Sequence, residues 1–546
     1  MARYSLGLDY GTNSVRALLV DVDSGVEAAT SVHEYPSGEH GILLDRRDPN
    51  LARQNPADYW IGFVAVTQAV LKEVDPNSII GIGVDTTGSS PIPVDGRGWA
   101  LSTQPKYSEN LAAQCWLWKD HTAYAEAAEI TQLARTMGVP YLAKCGGVYS
   151  SEWFWSKILH CARTSPDVFD AAYSWVECCD FVTGFLTGNS NPKTMARSIC
   201  AAGHKAMYSA EWGGLPSKEF LGALDTRLAQ LRDRLYDQAV PSNVSAGGLS
   251  PAAAQASGLP EGIPVAVGAF DAHFGAVASG VKSGTLVKIM GTSTCDCMVH
   301  PLSEPLADIP GLCGIVPESI LPNFYGLEAG QSAVGDIFNW VSSMSGRSHE
   351  DLTAEAANLK AGESGILALD WNNGNRTILV DPLLSGLLIG QSLHTTAGEI
   401  YRAAIEATAF GALKIIRRLE EFGVEVREIV NCGGIAEKSP LAMQIYADVC
   451  NRPMKLAGSS QTCALGAAIF GAVVGGAYPS VEDAQSKMVS YRPETYVPDP
   501  ASAEVYAQLY ELYSEVHDAF GTREWHGNLH RVMKELIQIR ERARGR

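Results

Sequence analysis

The feature that most constrains this chain is a pattern used twice. Residues 4–21 read YSLGLDYGTNSVRALLVD, and residues 284–299 read GTLVKIMGTSTCDCMV. Each has an apolar run, a Gly-Thr turn of small polar residues and a second apolar run, which is the pattern of a β-hairpin. Gly11 and Gly291 stand about half a chain apart in 546 residues, so the repeat implies two similar domains rather than a short-period solenoid. A chain of this length also exceeds what a single hydrophobic core organises.

Strand and helix signals alternate around the hairpins. Residues 79–84 (IIGIGV) form a β-branched run ending at Asp85, residues 263–267 (IPVAV) end at Gly268, and residues 427–431 stop at Cys432-Gly433-Gly434. Thr396 and Glu399 fit a capping box, opening a helix that continues to about Glu421 and closes at Gly423. This alternation predicts α/β domains with helices laid on mixed sheets. Residues 185–212 and 241–260 read as loop-rich insertions. The run CALGAAIFGAVVGGAY at 463–478 reads as a buried small-residue helix, short of the ~18–20 residues that span a bilayer.

A net charge of −18 and a pI near 5.1 exclude nucleic acid and an anionic membrane as expected partners. They leave a nucleotide open, because backbone N–H groups and a metal can hold phosphate locally. The start MARYSLGLDYG has no basic segment leading into an apolar one, so no secretory signal is read and a cytoplasmic location is expected. The twelve cysteines include no CxxC pair and read as reduced thiols. With no HExxH stretch, no zinc site is expected.

A Walker A loop is absent: Gly280-Val281-Lys282-Ser283 lacks the glycine before the lysine, and Gly81-Ile82-Gly83 lacks the third glycine of a dinucleotide fingerprint. The candidate phosphate-binding parts are therefore the hairpin turns. Gly11 permits close backbone approach, Thr12, Asn13 and Ser14 offer donors, and Arg16 lies next to them. Asp9, at a strand end, could hold Mg²⁺ through water. Gly291, Thr292 and Ser293 repeat the turn, and Gly433 with Gly434 offers a third backbone approach suited to adenine and ribose. Each segment alone also fits an ordinary turn; the two copies together favour phosphate. Asp271 is the lone carboxylate of the small, apolar stretch GAFDAHF. A buried, unpaired Asp is costly, so Asp271 either caps the following helix or serves chemistry, and the roles are compatible.

The segments GLDYGTNSVRALLVD, GAFDAHFGAV, KIMGTSTCD and NCGGIAEKSPLAMQIYADV together resemble the FGGY carbohydrate kinases. The resemblance implies two α/β domains of the actin-like ATPase (ribonuclease H-like) type with the active site in the cleft between them, using ATP and Mg²⁺. GIGVDTTGSSPIPVD (81–95), LWKDHTA (117–123), AAGHKAMY (201–208) and GLEAGQSAVGDIFNWV (326–341) are similar to members that act on ribulose. The likeness runs through residues 4–490 and is weakest at 210–258 and in the tail. It implies phosphorylation of L-ribulose at its 5-hydroxyl in arabinose catabolism, with D-ribulose, xylulose or a pentitol as alternative acceptors. Residues 1–280 would carry sugar and base, 281–490 the nucleotide, and 491–546 helices packed on the second domain.

Carried over by position, the resemblance makes Asp271 the general base. Lys205 and Glu328 would bind the sugar, with Gly88, Ser89, Trp118 and Lys119 lining the same pocket. Gly11, Thr12, Asn13, Ser14, Arg16, Gly291, Thr292 and Ser293 would hold phosphate, Gly433 and Gly434 the adenosine, and Asp9 the Mg²⁺. Ser439 stands where the family pattern often has Asn. Local sequence alone reads differently: Lys205 as a solvated lysine, Glu328 as a helix start, and Trp153 and Trp155 as core. A non-catalytic actin-like ATPase or a sugar-binding regulator is the competing class, and the sequence leaves a homodimer open.

Overall fold

The computed structural model describes residues 2–545. The first expected hairpin forms as strands Tyr4–Tyr10 and Ser14–Asp21, the second as Thr285–Met290 and Thr294–Pro301. Each lies at the centre of a seven-stranded mixed sheet. In the first sheet Glu27–Glu34 continues the hairpin in antiparallel fashion, while Ile79–Thr86 and then Pro264–Ala266 add in parallel on the other side. In the second, Phe324–Ala329 continues the antiparallel part, and Glu428–Cys432 and Met454–Ala457 add in parallel. The duplicated motif has thus become a duplicated strand order, three antiparallel strands followed by two parallel ones.

A parallel strand covered on both faces needs a continuous apolar run, and Ile79–Thr86 is buried over nearly its whole length. Its cover includes helix Thr462–Val474, which belongs to the second half of the chain but lies across the first sheet. Gly7 and Gly83, neighbours in the parallel register, admit it. A Cβ at Gly7 would stand 1.9 Å from the Ala464 carbonyl oxygen, and one at Gly83 1.8 Å from that of Ala467. The same helix packs on Asp271–Ala278, with the Phe274 and Phe470 rings stacked at 4.4 Å. The apolar run at 463–478 is therefore a core element joining the two halves, and no helix among the described residues is long and apolar enough to cross a membrane.

The capping box at Thr396 and Glu399 opens helix Ala397–Glu421, and Gly423 follows with a positive φ. The segments read as loop-rich are more ordered than expected. Helix Cys178–Thr187 runs into the first, which also holds Ile199–Lys205, capped by the Ser198 hydroxyl; the second holds Pro251–Ser257, capped by Ser250. Helices of seven residues complete two turns and show too little of a 3.6-residue period to be read. Helices Pro500–Gly521 and Val532–Ala543 bury Tyr506, Tyr513, Leu536 and Ile539 in the core of the second half. There Arg402 donates to Tyr506 at 2.7 Å and to Glu406 at 2.8 Å, and Tyr506 donates to Glu406 at 2.9 Å. All twelve cysteines are free, and ten are buried.

Candidate active site

Strand register gathers the acidic groups. Pairing of Tyr4–Tyr10 with Ile79–Thr86 sets Asp9 beside Asp85, and Asp85 in turn beside Ala269 of the short strand Ala269–Phe270. Asp271 comes next, in the first turn of helix Asp271–Ala278, so carboxyls from separate chain segments converge at one sheet edge. Arg16, the cross-strand partner of Asp9, reaches within 3.6 Å of it. Burial raises the Asp9 pKa and Arg16 opposes the rise. Asp85 is fully buried and neither of its oxygens finds a donor; burial, followed by the charges of Asp9 and Asp271, holds it well above the usual carboxylate range. Burial and the neighbouring Asp9 push Asp271 up to about 7, against the pull of the Ala272 N–H that donates to it at 2.7 Å. The capping position of this helix is Phe270, so Asp271 is not the N-cap its context allowed.

Lys205 and Glu328, expected to bind sugar, meet across the two halves of the chain. Lys205 ends helix Ile199–Lys205, and its ammonium donates to both oxygens of Glu328, at 2.8 and 3.1 Å. It is buried rather than solvated, and Glu328 lies in strand Phe324–Ala329 rather than at a helix start. Both local readings fail for one reason: the partner is 123 residues away, and a local window cannot contain it. Burial pulls the Lys205 pKa down and Glu328 more than reverses this, leaving it raised. Burial pushes Glu328 up, but Lys205 and two imidazoles bring it well below the usual range. Trp155 is core, donating to the Ala206 carbonyl at 2.8 Å, whereas the Trp153 ring also lies 5.3 Å from the Lys205 ammonium. Gly88 lies against the Phe270 ring. The Ser89 hydroxyl donates to Glu177, whose other oxygen accepts the Ser90 N–H at 2.8 Å, and buried Lys157 donates to the Ser89 carbonyl at 2.8 Å. Trp118 donates to the Thr12 hydroxyl at 3.0 Å, tying its segment to the first turn, with Lys119 half-buried next to it.

The two turns close alike. Gly11 N–H donates to Ser14 O at 3.0 Å, and Gly291 N–H to Ser293 O at 2.9 Å. Asn13 is anchored to the His40 carbonyl at 2.7 Å, and the Thr12 carbonyl accepts from Gln54 at 2.7 Å. Gly291 and Thr292 are exposed, and their carbonyls accept from Gly335 and Val334 at 3.1 and 2.8 Å, at the start of helix Gly335–Ser345. Below them buried Lys288 donates to Asp296 at 2.8 and 2.9 Å and to Gln331 at 2.9 Å. Gly433 has φ 92°, and a Cβ on it would stand 2.6 Å from the Met290 carbonyl oxygen. The third glycine approach therefore abuts the second turn. Space stays open at Gly434, where nothing lies within 4 Å of a would-be Cβ. Ser439 caps the next helix, accepting the Ala442 N–H at 3.3 Å, which leaves its O–H free to donate.

Asp85 is the acidic group that sequence reasoning passed over. The signal was present: GLD at 7–9 and GVD at 83–85 are two strand ends of the same form, and the register pairs them. Asp9 with the donorless oxygens of Asp85 makes a donor set suited to a hard divalent cation.

Comparison with known proteins gives the same frame. Residues 4–278 match the family model for the FGGY family of carbohydrate kinases, N-terminal domain, and residues 286–474 match that for its C-terminal domain. A ribulokinase of Shouchella clausii (strain KSM-K16) is 40% identical, covering 100% of this chain and 99% of that protein. A ribulokinase of Mycolicibacterium smegmatis is 38% identical, covering 99% and 98%. Among solved structures, xylulose kinase from Rhodospirillum rubrum has a TM-score of 0.78 at 24% identity, over 95% of this chain and 99% of that one. Plasmodium falciparum glycerol kinase with ADP has 0.77 at 14% identity, over 94% and 98%. At such identities the structural likenesses establish the fold. With both of its halves matched and relatives near 40% identity along its whole length, the chain belongs to the FGGY family of carbohydrate kinases, phosphotransferases that act on an alcohol group.

Proposed function

We propose that this enzyme transfers the γ-phosphate of ATP to the 5-hydroxyl of L-ribulose, giving L-ribulose 5-phosphate and ADP, in the cytoplasm and as a step of arabinose catabolism. The observation that carries the reading is the placement of Asp271. A carboxyl poised at about 7 lies between the Asp9 strand end and the Lys205–Glu328 pair. Lys205 and Glu328 hold the sugar hydroxyls, and Gly88, Ser89, Trp118 and Lys119 complete that pocket. The 5-oxygen attacks the γ-phosphorus, the bond from that phosphorus to the bridging oxygen breaks, and the hydroxyl proton passes to Asp271. Positioning and charge stabilisation dominate such transfers, with base catalysis adding ~10² to 10⁴. The turns at 11–14 and 291–293 grip the phosphates, Arg16 orients Asp9, and Gly433, Gly434 and the Ser439 hydroxyl face the adenosine. Mg²⁺, held by Asp9 with Asp85 beside it, neutralises phosphate charge when bound. In this division residues 1–280 supply the base, most of the sugar pocket and one phosphate turn, and 281–490 supply Glu328, the other phosphate turn and the adenosine site.

A coupled ADP-release assay over L-ribulose, D-ribulose, L- and D-xylulose, ribitol and glycerol tests the assignment. The highest kcat/KM is expected with L-ribulose. ADP release that no sugar changes contradicts the kinase reading, and a higher value with another acceptor contradicts the substrate.

A further inference from the structure

Below the Lys205–Glu328 pair lies a cluster of which the proposed phosphate transfer uses only the carboxylate: His204, His273 and Glu328, with ligand atoms within 4.8 Å of one another. Both histidines are about 1% exposed, and their rings lie 4.5 Å apart. His204 fits here because Gly314, the cross-strand partner of Glu328, has no side chain; a Cβ there would stand 1.9 Å from His204 Nδ1.

The hydrogen bonds fix which ring nitrogen of His204 carries the proton. The Ser319 hydroxyl donates to the Val316 carbonyl at 3.0 Å, so toward His204 Nε2, 2.9 Å away, it accepts. His204 is thus the Nε2–H tautomer, and its Nδ1 is a bare lone pair without a hydrogen-bond partner. That lone pair stands 3.3 Å from Glu328 Oε2. His273 Nδ1 lies 2.7 Å from the Cys200 sulfur, and its Nε2 is also 3.3 Å from Glu328 Oε2; burial pulls its pKa down, but Cys200 and Glu328 more than reverse this and hold it well above the ordinary imidazole value. A metal ion bound here replaces the His273 Nε2 proton and meets the bare His204 Nδ1. Both N···O separations equal the ~3.3 Å edge of a tetrahedron with ~2.0–2.1 Å metal–ligand bonds. Ser319 and Cys200 hold the far sides of the rings, as the outer partners of metal-bound histidines do.

We propose that His204 Nδ1, His273 Nε2 and Glu328 Oε2 form a site for one divalent transition-metal ion of the zinc class, with a fourth position open to a non-protein ligand. This departs from the expectation drawn from the missing HExxH stretch, because the ligands come from two short helices and a strand rather than from one helix. Lys205 donates to Glu328 Oε1 at 2.8 Å and to Oε2 at 3.1 Å, so the ion takes over the longer of these bonds on the carboxylate that the kinase reading assigns to the sugar.

The test is a titration of the full-length, metal-stripped protein with Co²⁺, followed by visible absorption, without sugar or nucleotide. Its outcome is therefore independent of the catalytic assignment. One equivalent of Co²⁺ should bind with the d–d bands of a tetrahedral nitrogen–oxygen site and no thiolate charge-transfer band, and Zn²⁺ should displace it. Ser319→Ala, which leaves all ligands in place, should weaken binding by ~10-fold or more, and His204→Gln by more than that. Failure of the wild-type protein to bind an equivalent of Co²⁺ overturns the site, as does a thiolate charge-transfer band. Binding unchanged by both substitutions also overturns it.

Discussion

As the proposed base, Asp271 must be ionised to take a proton, and its burial beside Asp9 resists ionisation until the pH reaches about 7. Turnover should therefore rise with pH through about 7 and level off above it, provided the sugar is saturating; a rate flat between about pH 5 and pH 8 would remove Asp271 from the base role. Asp85 makes a stability statement of the opposite kind. Its folded pKa lies well above the ordinary value, so the folded protein keeps a proton that the unfolded chain releases from about pH 4 upward. That contribution is present below about pH 4 and lost as the pH rises. Asp85→Asn should raise the thermal midpoint by a few degrees at about pH 8, with the gain vanishing near pH 4 and activity falling in exchange. A variant less stable than the parent at about pH 8 would contradict the assigned burial cost. Asp271 was legible in the sequence because it is a lone carboxylate among small apolar residues. Lys205 and Glu328 were legible only through family likeness, since their pairing joins a helix to a strand 123 residues away.

At the scale of elements, the hairpins and the long helix Ala397–Glu421 were readable because each carries its own local signal: a Gly-Thr turn in one case, a capping box in the other. The seven-residue helices were not, nor was the docking of Thr462–Val474 on the first sheet. An apolar run of small residues tells that a helix is buried and close-packed, but not against which sheet. Gly7 and Gly83 record the answer, since only backbone without Cβ admits the helix at that distance. Gly83→Ala forces a Cβ onto the Ala467 carbonyl and should cost about 1–3 kcal/mol in denaturant unfolding. Wild-type stability in that variant would mean that the helix does not press on the strand as described.

For the whole molecule, the two halves share one strand order and meet where Asp271–Ala278 crosses Thr462–Val474. The Lys205–Glu328 pair bridges them. In the proposed reading sugar and nucleotide bind where the two halves meet, so L-ribulose with a non-hydrolysable ATP analogue should reduce the radius of gyration in solution scattering, as domain closure requires. No change on adding both ligands would argue against closure as part of the cycle. The most direct test of the central claim compares L-ribulose-dependent ADP release in the parent enzyme and in Asp271→Asn, with sugar affinity measured in parallel. The account predicts nearly unchanged sugar binding and a turnover at least ~10²-fold lower; near-normal turnover in Asp271→Asn would contradict it.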